Sequence, residues 1–273
     1  GSQPPYHPNS RAFDEFYGFT SGHWGNYFDP ILERNGELVR GKGYINDDIT
    51  NNAISYIKKS ARPFFTFISY NTPHSPMQVP DKYSKEKKVI LKGRYSDREN
   101  VEKTKAALGM IENIDENVGN IIKTLKKIGK YENTIIIFLS DNGPNGNRWN
   151  NEFKERKGST NEGGVRVPFF IQWPKKIKPG IKIKQVSSAL DVFPTLVDLI
   201  ESASLINFDG ESFKKYIENP DLLDNQRKVF SFWNNRLSVR NNEYILDYND
   251  KLYDLNNDHS QYYAINETKV NEY

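Results

Sequence analysis

The chain has 273 residues, 36% hydrophobic and 13% aromatic, with 38 basic against 35 acidic side chains and a formal net charge of +3. That length suits one large α/β domain, or one domain with a small appendage. Charge this near balance, with no dense Lys/Arg block, argues against nucleic acid; zero cysteines exclude disulfides, thiol catalysis and Cys-ligated zinc without fixing the compartment; and the lack of an 18-residue apolar run excludes a membrane span.

Gly1-Ser2 reads as an expression scar, so any native leader is expected to have been removed. Residues 3–45 are rich in Pro, Gly, Tyr, Phe and Asn and show little periodicity, which predicts aromatic-anchored loops. His7 and His23 lie here without a second ligand at helical or hairpin spacing, and are expected to be structural or surface histidines. Residues 47–60 carry Ile49, Ala53, Ile54 and Ile57 at helical spacing behind the capping candidates Asn46 and Asp47. Residues 64–69, Phe-Phe-Thr-Phe-Ile-Ser, predict a buried strand. It exits into Asn71-Thr72-Pro73-His74-Ser75-Pro76, where two prolines would hold His74 in place; the bland alternative is a surface histidine in a Pro-rich loop.

Residues 81–96 are Lys-rich and read as a solvated face. Ser96-Asp97-Arg98-Glu99 predicts a capping box opening a long helix. Its stripe would run through Ala107, Ile111, Ile114, Val118, Ile121, Leu125 and Ile128 and close at Gly129. Residues 134–139 then read as a strand buried on both faces, as in a parallel sheet. Asp141 and Asn142 follow directly, at the carboxyl end where open α/β sheets bind ligands. Their hard oxygens suit Mg²⁺ or Ca²⁺; the alternative is an ordinary Asp-Asn-Gly turn. Residues 165–173 predict a third strand, 186–190 a short one, and 191–200 a helix with Pro194 in its first turn. From 227 onward, short alternating runs at 229–233, 237–240, 244–247 and 251–255 predict a small antiparallel sheet. The expected division is an α/β domain over 1–205 and a small α+β subdomain over 206–273, with the boundary near 205–227.

Six stretches resemble one family in its order along nearly the whole chain: Arg-Ala-Phe-Asp-Glu-Phe-Tyr-Gly-Phe (11–19), Asn-Thr-Pro-His-Ser-Pro (71–76), Ser-Asp-Asn-Gly (140–143), Lys-Gly-Ser-Thr-Asn-Glu-Gly-Gly-Val-Arg-Val-Pro (157–168), Asp-Val-Phe-Pro-Thr-Leu (191–196) and Leu-Tyr-Asp-Leu (252–255). The family is that of the type I, formylglycine-dependent sulfatases of the alkaline-phosphatase-like superfamily. The resemblance implies an α/β fold with a mostly parallel central sheet flanked by helices, plus a small C-terminal antiparallel sheet. It implies hydrolysis of sulfate esters, with sulfated carbohydrate as the family-level substrate. Asp141 and Asn142 would ligate Ca²⁺ (or Mg²⁺), His74 would assist the leaving group, and Lys157 would place a point charge on the sulfate. Arg148 and Arg156 are either substrate-binding or surface arginines. Trp149 either stacks on a sugar ring or packs within its loop. Glu162 is expected to be a structural partner, and Asp191 a helix cap.

The family also has an N-terminal Asp-Asp pair, a Cys- or Ser-x-Pro-x-Arg segment that yields formylglycine, and a Gly-Lys-Trp-His-Leu-Gly segment. None occurs here. The chain therefore looks like the C-terminal part of a sulfatase, expected to bind metal weakly and hydrolyse nothing alone. Its uncovered apolar edges predict association, or a complementary N-terminal chain. Two rival readings stand beside this one. A phosphate or phosphonate ester hydrolase of the same superfamily would place histidines among its metal ligands, and no Asp-x-x-x-His or Asp-His pair directly follows these strands. A non-catalytic remnant or binding subunit would keep the sulfated-substrate surface without the chemistry. A periplasmic or extracellular location is implied by the family alone.

Overall fold

Asn35-Gly36 sits between two short alternating runs, and its positive φ values of 51° and 95° make the tight turn that joins two antiparallel strands. The computed structural model describes residues 1–22, 24–85, 87–203 and 206–265, and His23 lies outside them. The chain forms two compact units. Unit 1 comprises Gly1–Ile90 and Asn100–Thr134; unit 2 comprises Leu91–Glu99 and Ile135–Tyr273. The composition change near 205–227 falls inside unit 2.

In unit 1 the turn joins β2 (Ile31–Arg34) to β3 (Glu37–Arg40), and β1 (Tyr17–Gly18) adds on the other side of β2. This small sheet lies where loops alone were expected. Asn35 also accepts from the Phe16 amide at 2.7 Å, which ties the entering chain to the turn. Helices α1 (Ile45–Lys59) and α2 (Val101–Lys127) complete the unit. The core is aromatic: Tyr27, Leu32, Tyr44, Ile45 and Met110, with Phe19, Trp24, Val39 and Ile49 packed against it. Burying each such side chain contributes about 1.5–3 kcal/mol.

Both helix starts differ from expectation. Helix α1 begins at Ile45 behind Tyr44, with no side-chain cap. Asn46 and Asp47, the expected caps, turn toward α2 instead: Asn46 donates to Asn113 Oδ1 at 3.0 Å, and Asp47 accepts from Asn113 and Asn117 at 2.6 and 2.7 Å. Helix α2 is capped by Asn100, whose side chain accepts from the Lys103 amide. Ser96 spends its hydroxyl on the Gly93 carbonyl, so the expected capping box is not formed. The α2 stripe is more polar than expected, with Thr104, Asn113 and Asn117 buried and Ile111 exposed. The helix does close at Gly129, with its amide on the Lys126 carbonyl and the Lys130 amide on the Leu125 carbonyl.

The segment 64–69 is not a buried strand. No strand is assigned there among the described residues, exposure alternates along it, and Phe65 and Phe67 are 62% and 71% exposed. Strand pairing needs a neighbour, and among the described residues none lies beside it.

In unit 2, β4 (Ile136–Leu139) is followed by the short helix α3 (Glu162–Val165) and by β5 (Phe169–Gln172). Strands β4 and β5 pair antiparallel, with Ile137 opposite Ile171. The parallel pairing expected of the central sheet is not found among the described residues, where every named ladder is antiparallel. Without parallel neighbours β4 is only half buried, and Leu139 is exposed. Residues 186–190 form no strand either. Side chains take their backbone groups: the Val186 amide donates to Asn242 Oδ1 and the Val186 carbonyl accepts from Arg227 Nε.

Helix α4 (Val192–Leu199) and helix α5 (Lys214–Glu218) enclose a second core of Trp173, Leu199, Phe213, Tyr216 and Ile217. The chain ends in a four-stranded antiparallel meander, β6 (Val229–Trp233), β7 (Arg236–Arg240), β8 (Tyr244–Leu246) and β9 (Leu252–Asp254), closely as expected.

Asp191 is buried ahead of α4. Its carboxylate closes a capping box with Ser188, accepts from the Glu211 amide at 2.8 Å, and pairs with Arg227 at 2.6 Å. It is a cap, as expected. Removing Asp191 leaves the buried Arg227 with only the exposed Glu211 carboxylate, at 2.8 Å, as a charge partner. Asp191→Ala is expected to lower stability by about 3–5 kcal/mol, read as a fall in the urea midpoint at unchanged slope.

Candidate active site

The chain leaving β4 can turn sharply because Gly143 has no side chain. A Cβ there would lie 1.9 Å from the Gly163 carbonyl oxygen, and the Gly143 amide donates to the Gly164 carbonyl at 2.8 Å. Gly163 and Gly164 meet the preceding loop as closely: a Cβ on them would lie 2.1 Å from the Glu155 carbonyl oxygen and 2.2 Å from that of Ser159. The Lys157 amide in turn donates to the Pro144 carbonyl at 3.0 Å. Three backbone segments are thus interlocked without intervening side chains. Asp141, Asn142 and Lys157 rise from this one platform.

Asp141 is exposed, with the Ser140 hydroxyl 3.5 Å from its Oδ1. Asn142 donates its amide nitrogen to the Gly143 carbonyl at 2.9 Å, which leaves its oxygen for another partner. Lys157 is exposed and forms no ion pair among the described residues. Arg156 donates to Asn147 Oδ1, and the Asn147 amide nitrogen reaches the Arg98 carbonyl at 2.9 Å. Arg148 is largely buried, and its Nε has no hydrogen-bond partner. Burial lowers its pKa, and the nearby Glu99 carboxylate opposes that shift. Trp149 is 38% exposed, with the Lys92 ammonium 4.6 Å from its ring centroid.

The platform is fastened to the C-terminal sheet by groups that sequence reasoning missed. Glu155 accepts from Ser159, from Asn161 at 2.8 Å and from the Tyr248 hydroxyl at 2.7 Å, while its amide donates to the Tyr95 hydroxyl. Lys154 bonds Asp247 and the Tyr253 hydroxyl at 2.7 and 2.8 Å. Glu162 is wholly buried between Arg166 and Arg240, the structural part expected of it. Only the paired glycines at 163–164 hinted at so tight a junction; the partners in the sheet lie far along the chain.

His74 belongs to unit 1. The Tyr27 hydroxyl donates to the carbonyls of His74 and Ser75 at 2.9 and 2.8 Å, and Asn46 holds Thr72 at 2.7 Å. Burial pushes the Tyr27 pKa up to about 12, with the nearby Asn71 opposing, so the hydroxyl remains a donor at any physiological pH. The imidazole Nδ1 lies 3.0 Å from the Ser75 carbonyl oxygen, which can only accept; Nδ1 therefore carries a proton. His7, by contrast, is buried against Glu33 at 2.6 Å and Phe16 and is structural, as expected.

A family model described as Sulfatase matches residues 2–202. The chain belongs to the sulfatase family. A second model, N-sulphoglucosamine sulphohydrolase, C-terminal, matches residues 155–272. Uncharacterized sulfatase YdeN of Escherichia coli (strain K12) is 32% identical over 228 residues, covering 80% of this chain and 39% of its own. N-acetylgalactosamine-6-sulfatase of Mus musculus is 29% identical over 225 residues, covering 73% and 40%. Crystal structures of Ps i-CgsB, alone and in complex with k-i-k-neocarrahexaose, superpose with TM-scores of 0.84 and 0.83 at 29% and 30% identity, covering all of this chain and 66% of theirs. A Vibrio parahaemolyticus protein of the alkaline phosphatase superfamily shares the fold at a TM-score of 0.54 and 17% identity, covering 84% of this chain and 51% of its own. The fold is thus alkaline-phosphatase-like. The chain spans about two-fifths of the length of the curated relatives named here.

The donor set of this sulfatase-family chain suits a hard divalent cation in part. Asp141 and Asn142 offer oxygens of the type Ca²⁺ or Mg²⁺ takes, and no group of three or more His, Cys, Asp or Glu placed to hold a metal occurs among the described residues. The residues do not fit formylglycine, whose Cys- or Ser-x-Pro-x-Arg precursor is absent from these 273 residues.

Gly143→Ala is expected to cost about 1–3 kcal/mol, because backbone rather than a movable side chain fills the space; urea titration reads it. The pH dependence follows from the fastening carboxylates. Burial pushes Asp247 and Glu155 up, but hydrogen bonds from Lys154 to the first, and from Ser159, Asn161 and Tyr248 to the second, leave both below their ordinary 3.8 and 4.5. A carboxyl held low in the folded state adds stability above its unfolded value and loses it as pH falls through the folded value. Asp247→Asn is therefore expected to lower stability at pH 7 and to shrink the difference between urea midpoints at pH 7 and pH 3.

Proposed function

We propose that this chain forms part of a hydrolase that cleaves sulfate esters on carbohydrate, with the pocket built on the Gly143 platform. The observation that carries this is the backbone interlock, which holds a pair of metal-type oxygens, the Lys157 ammonium and the Arg148–Trp149 loop on one rigid support. The family, a relative named N-acetylgalactosamine-6-sulfatase, and the complex of Ps i-CgsB with k-i-k-neocarrahexaose support a sulfated sugar as substrate.

Asp141 and Asn142 would supply oxygen ligands to Ca²⁺ (or Mg²⁺). When bound, the cation draws charge from a sulfate oxygen and orients the group. Lys157 places an unneutralised positive charge where negative charge grows on the leaving oxygen and sulfate. Arg148 and Arg156 hold the anion from the adjoining loop, and Arg148 offers an Nε already stripped of water. Trp149 gives an apolar face to the sugar. His74, with Nδ1 fixed by the Ser75 carbonyl, would exchange a proton with the ester oxygen through Nε2.

Two oxygen-bearing side chains fall short of the six to eight ligands Ca²⁺ takes. The 273-residue chain on its own is accordingly proposed to be inactive and a weak metal binder. Further polypeptide, either the remaining portion of the protein or a second copy, would cover faces such as Phe65 and Phe67 in unit 1 and Phe170 and Phe193 in unit 2. A periplasmic or extracellular location is part of this proposal and rests on the family.

The test is sulfate release by the full-length protein from a panel of sulfated mono- and oligosaccharides, with phosphate esters run beside them. Sulfate release lost with EDTA and restored by CaCl₂ is expected. Lys157→Ala and Asp141→Ala should each lower kcat/KM about 10²–10³-fold. Preference for phosphate esters, or full activity in both variants, would overturn the assignment. For the 273-residue chain alone, calorimetry with CaCl₂ should give an affinity weaker than micromolar.

A further inference from the structure

Residues Leu91–Glu99 belong to unit 2 although the chain on both sides of them belongs to unit 1. The detour is stapled to the loop after the Asp-Asn pair. A Cβ on Gly93 would lie 3.6 Å from Trp149 Cδ1 and 3.2 Å from Glu152 Cγ. The Tyr95 hydroxyl accepts the Glu155 amide, and the Arg98 carbonyl accepts from Asn147. At the far end Arg94 donates through Nη2 to the Ser260 and Gln261 carbonyls and lies 3.9 Å over Tyr262.

Lys92 differs from Arg94. Its ammonium lies over the half-exposed Trp149 ring, and it makes no hydrogen bond or ion pair among the described residues. Glu152 lies along Gly93 and does not pair with it. A strongly hydrated ammonium over an indole gains only about 0.5–1 kcal/mol at an exposed site, too little to fix a four-carbon stem there. The arrangement suits a pair of groups with complementary partners: an indole face for the apolar side of a pyranose ring, and beside it a cation with three free donors.

We propose that Lys92 and Trp149 form a subsite for the sugar ring next to the one bearing the scissile sulfate, in which Lys92 reads a second sulfate on that neighbouring ring. The subsite rests on the reading of this protein as a sulfated-glycan hydrolase. It makes the substrate class an oligosaccharide sulfated on adjacent rings, and makes the 91–99 detour a specificity element. Lys92 touches the neighbouring ring, not the reacting atoms.

The test uses the full-length protein freed of metal with EDTA, so that ligand is bound without being consumed. A heparin-derived hexasaccharide and its chemically desulfated counterpart are titrated by calorimetry, with tryptophan emission followed in parallel. Lys92→Met and Trp149→Ala should each weaken the sulfated ligand about tenfold, while Lys92→Arg stays within about twofold. The desulfated ligand should bind at least about tenfold more weakly than the sulfated one and ignore Lys92→Met. Quenching should vanish in Trp149→Phe. Lys58→Met, an exposed lysine on α1, should leave both affinities unchanged, which separates a subsite from general charge attraction. Lys92→Met within twofold of the parent, equal losses in Lys58→Met, or no binding by the parent would overturn the subsite. Binding with this pattern but no sulfate release by the metal-loaded protein would overturn the hydrolase reading alone.

Discussion

Backbone against backbone is the constraint on which the site depends. At Gly143, Gly163 and Gly164 three segments approach until a single methyl group would collide with a carbonyl oxygen. Main-chain atoms have no rotamers, so contacts of this kind hold position more strictly than side-chain packing of the same area. Catalytic groups on loops are precise only when the loops are themselves fixed. Here the acidic-amide pair leaving β4 and the lysine eighteen residues beyond its end are fixed to the same few peptide groups rather than to each other. The local charge can therefore remain unpaired without the loops collapsing onto it.

That arrangement draws its stability from the C-terminal sheet. Lys154–Asp247, Glu155–Tyr248, Thr160–Ser238 and Glu162–Arg240 join the platform to the meander one after another, and Asn161 adds a bond from Gln261. Burying ions is costly unless each finds good partners, and apolar substitutes often pack as stably. A polar seam gives up some stability relative to an oily one but permits one register only. The meander thus sets where the 154–162 loop lies, which explains how a sheet remote in sequence from the Asp-Asn pair belongs to the same site.

Legibility from the residues followed the distance over which each signal acts. The meander at 229–254 was readable because every strand is bounded by its own turn, and local hairpins need no knowledge of the rest of the fold. The Asp-Asn exit from β4, the Asp191 cap and the helical run of α4 were readable for the same reason. Asn35-Gly36 was an equally local sign of a hairpin, hidden among aromatics that suggested loops. Burial and strand direction were not readable: Phe64 to Phe67 and Ile136 to Leu139 are apolar enough for a covered sheet, but cover and partner come from elsewhere in the chain. Capping was misread at Ser96 and Asn46 because a polar side chain near a helix start can choose between the helix and a neighbour. At Asn46 the neighbour won, since Asn113 and Thr72 lie within reach in a buried interface. In the site the resemblance brought out the exposed cations and acids, while their fastenings, 93 residues apart in the cases of Lys154–Asp247 and Glu155–Tyr248, had no local mark.

Unit 1 shows how the same logic serves the imidazole. The polar contact of α1 with α2 looks wasteful beside an apolar one, because Asn46, Asn113 and Asn117 are buried and Asp47 partly so to make it. Their amide nitrogens and the Asp47 carboxylate, however, have directional partners, and the Asn46 amide nitrogen passes the constraint on to Thr72, two residues before His74. Tyr27 then fixes the far side of the loop through two carbonyls. A leucine seam between the helices would pack as tightly but could slide by a fraction of a turn. Amides cannot slide without losing bonds worth about 1 kcal/mol each. In both units, then, buried polar contacts remote from the candidate site residues hold the loops that carry them, and apolar cores hold the elements from which those loops spring.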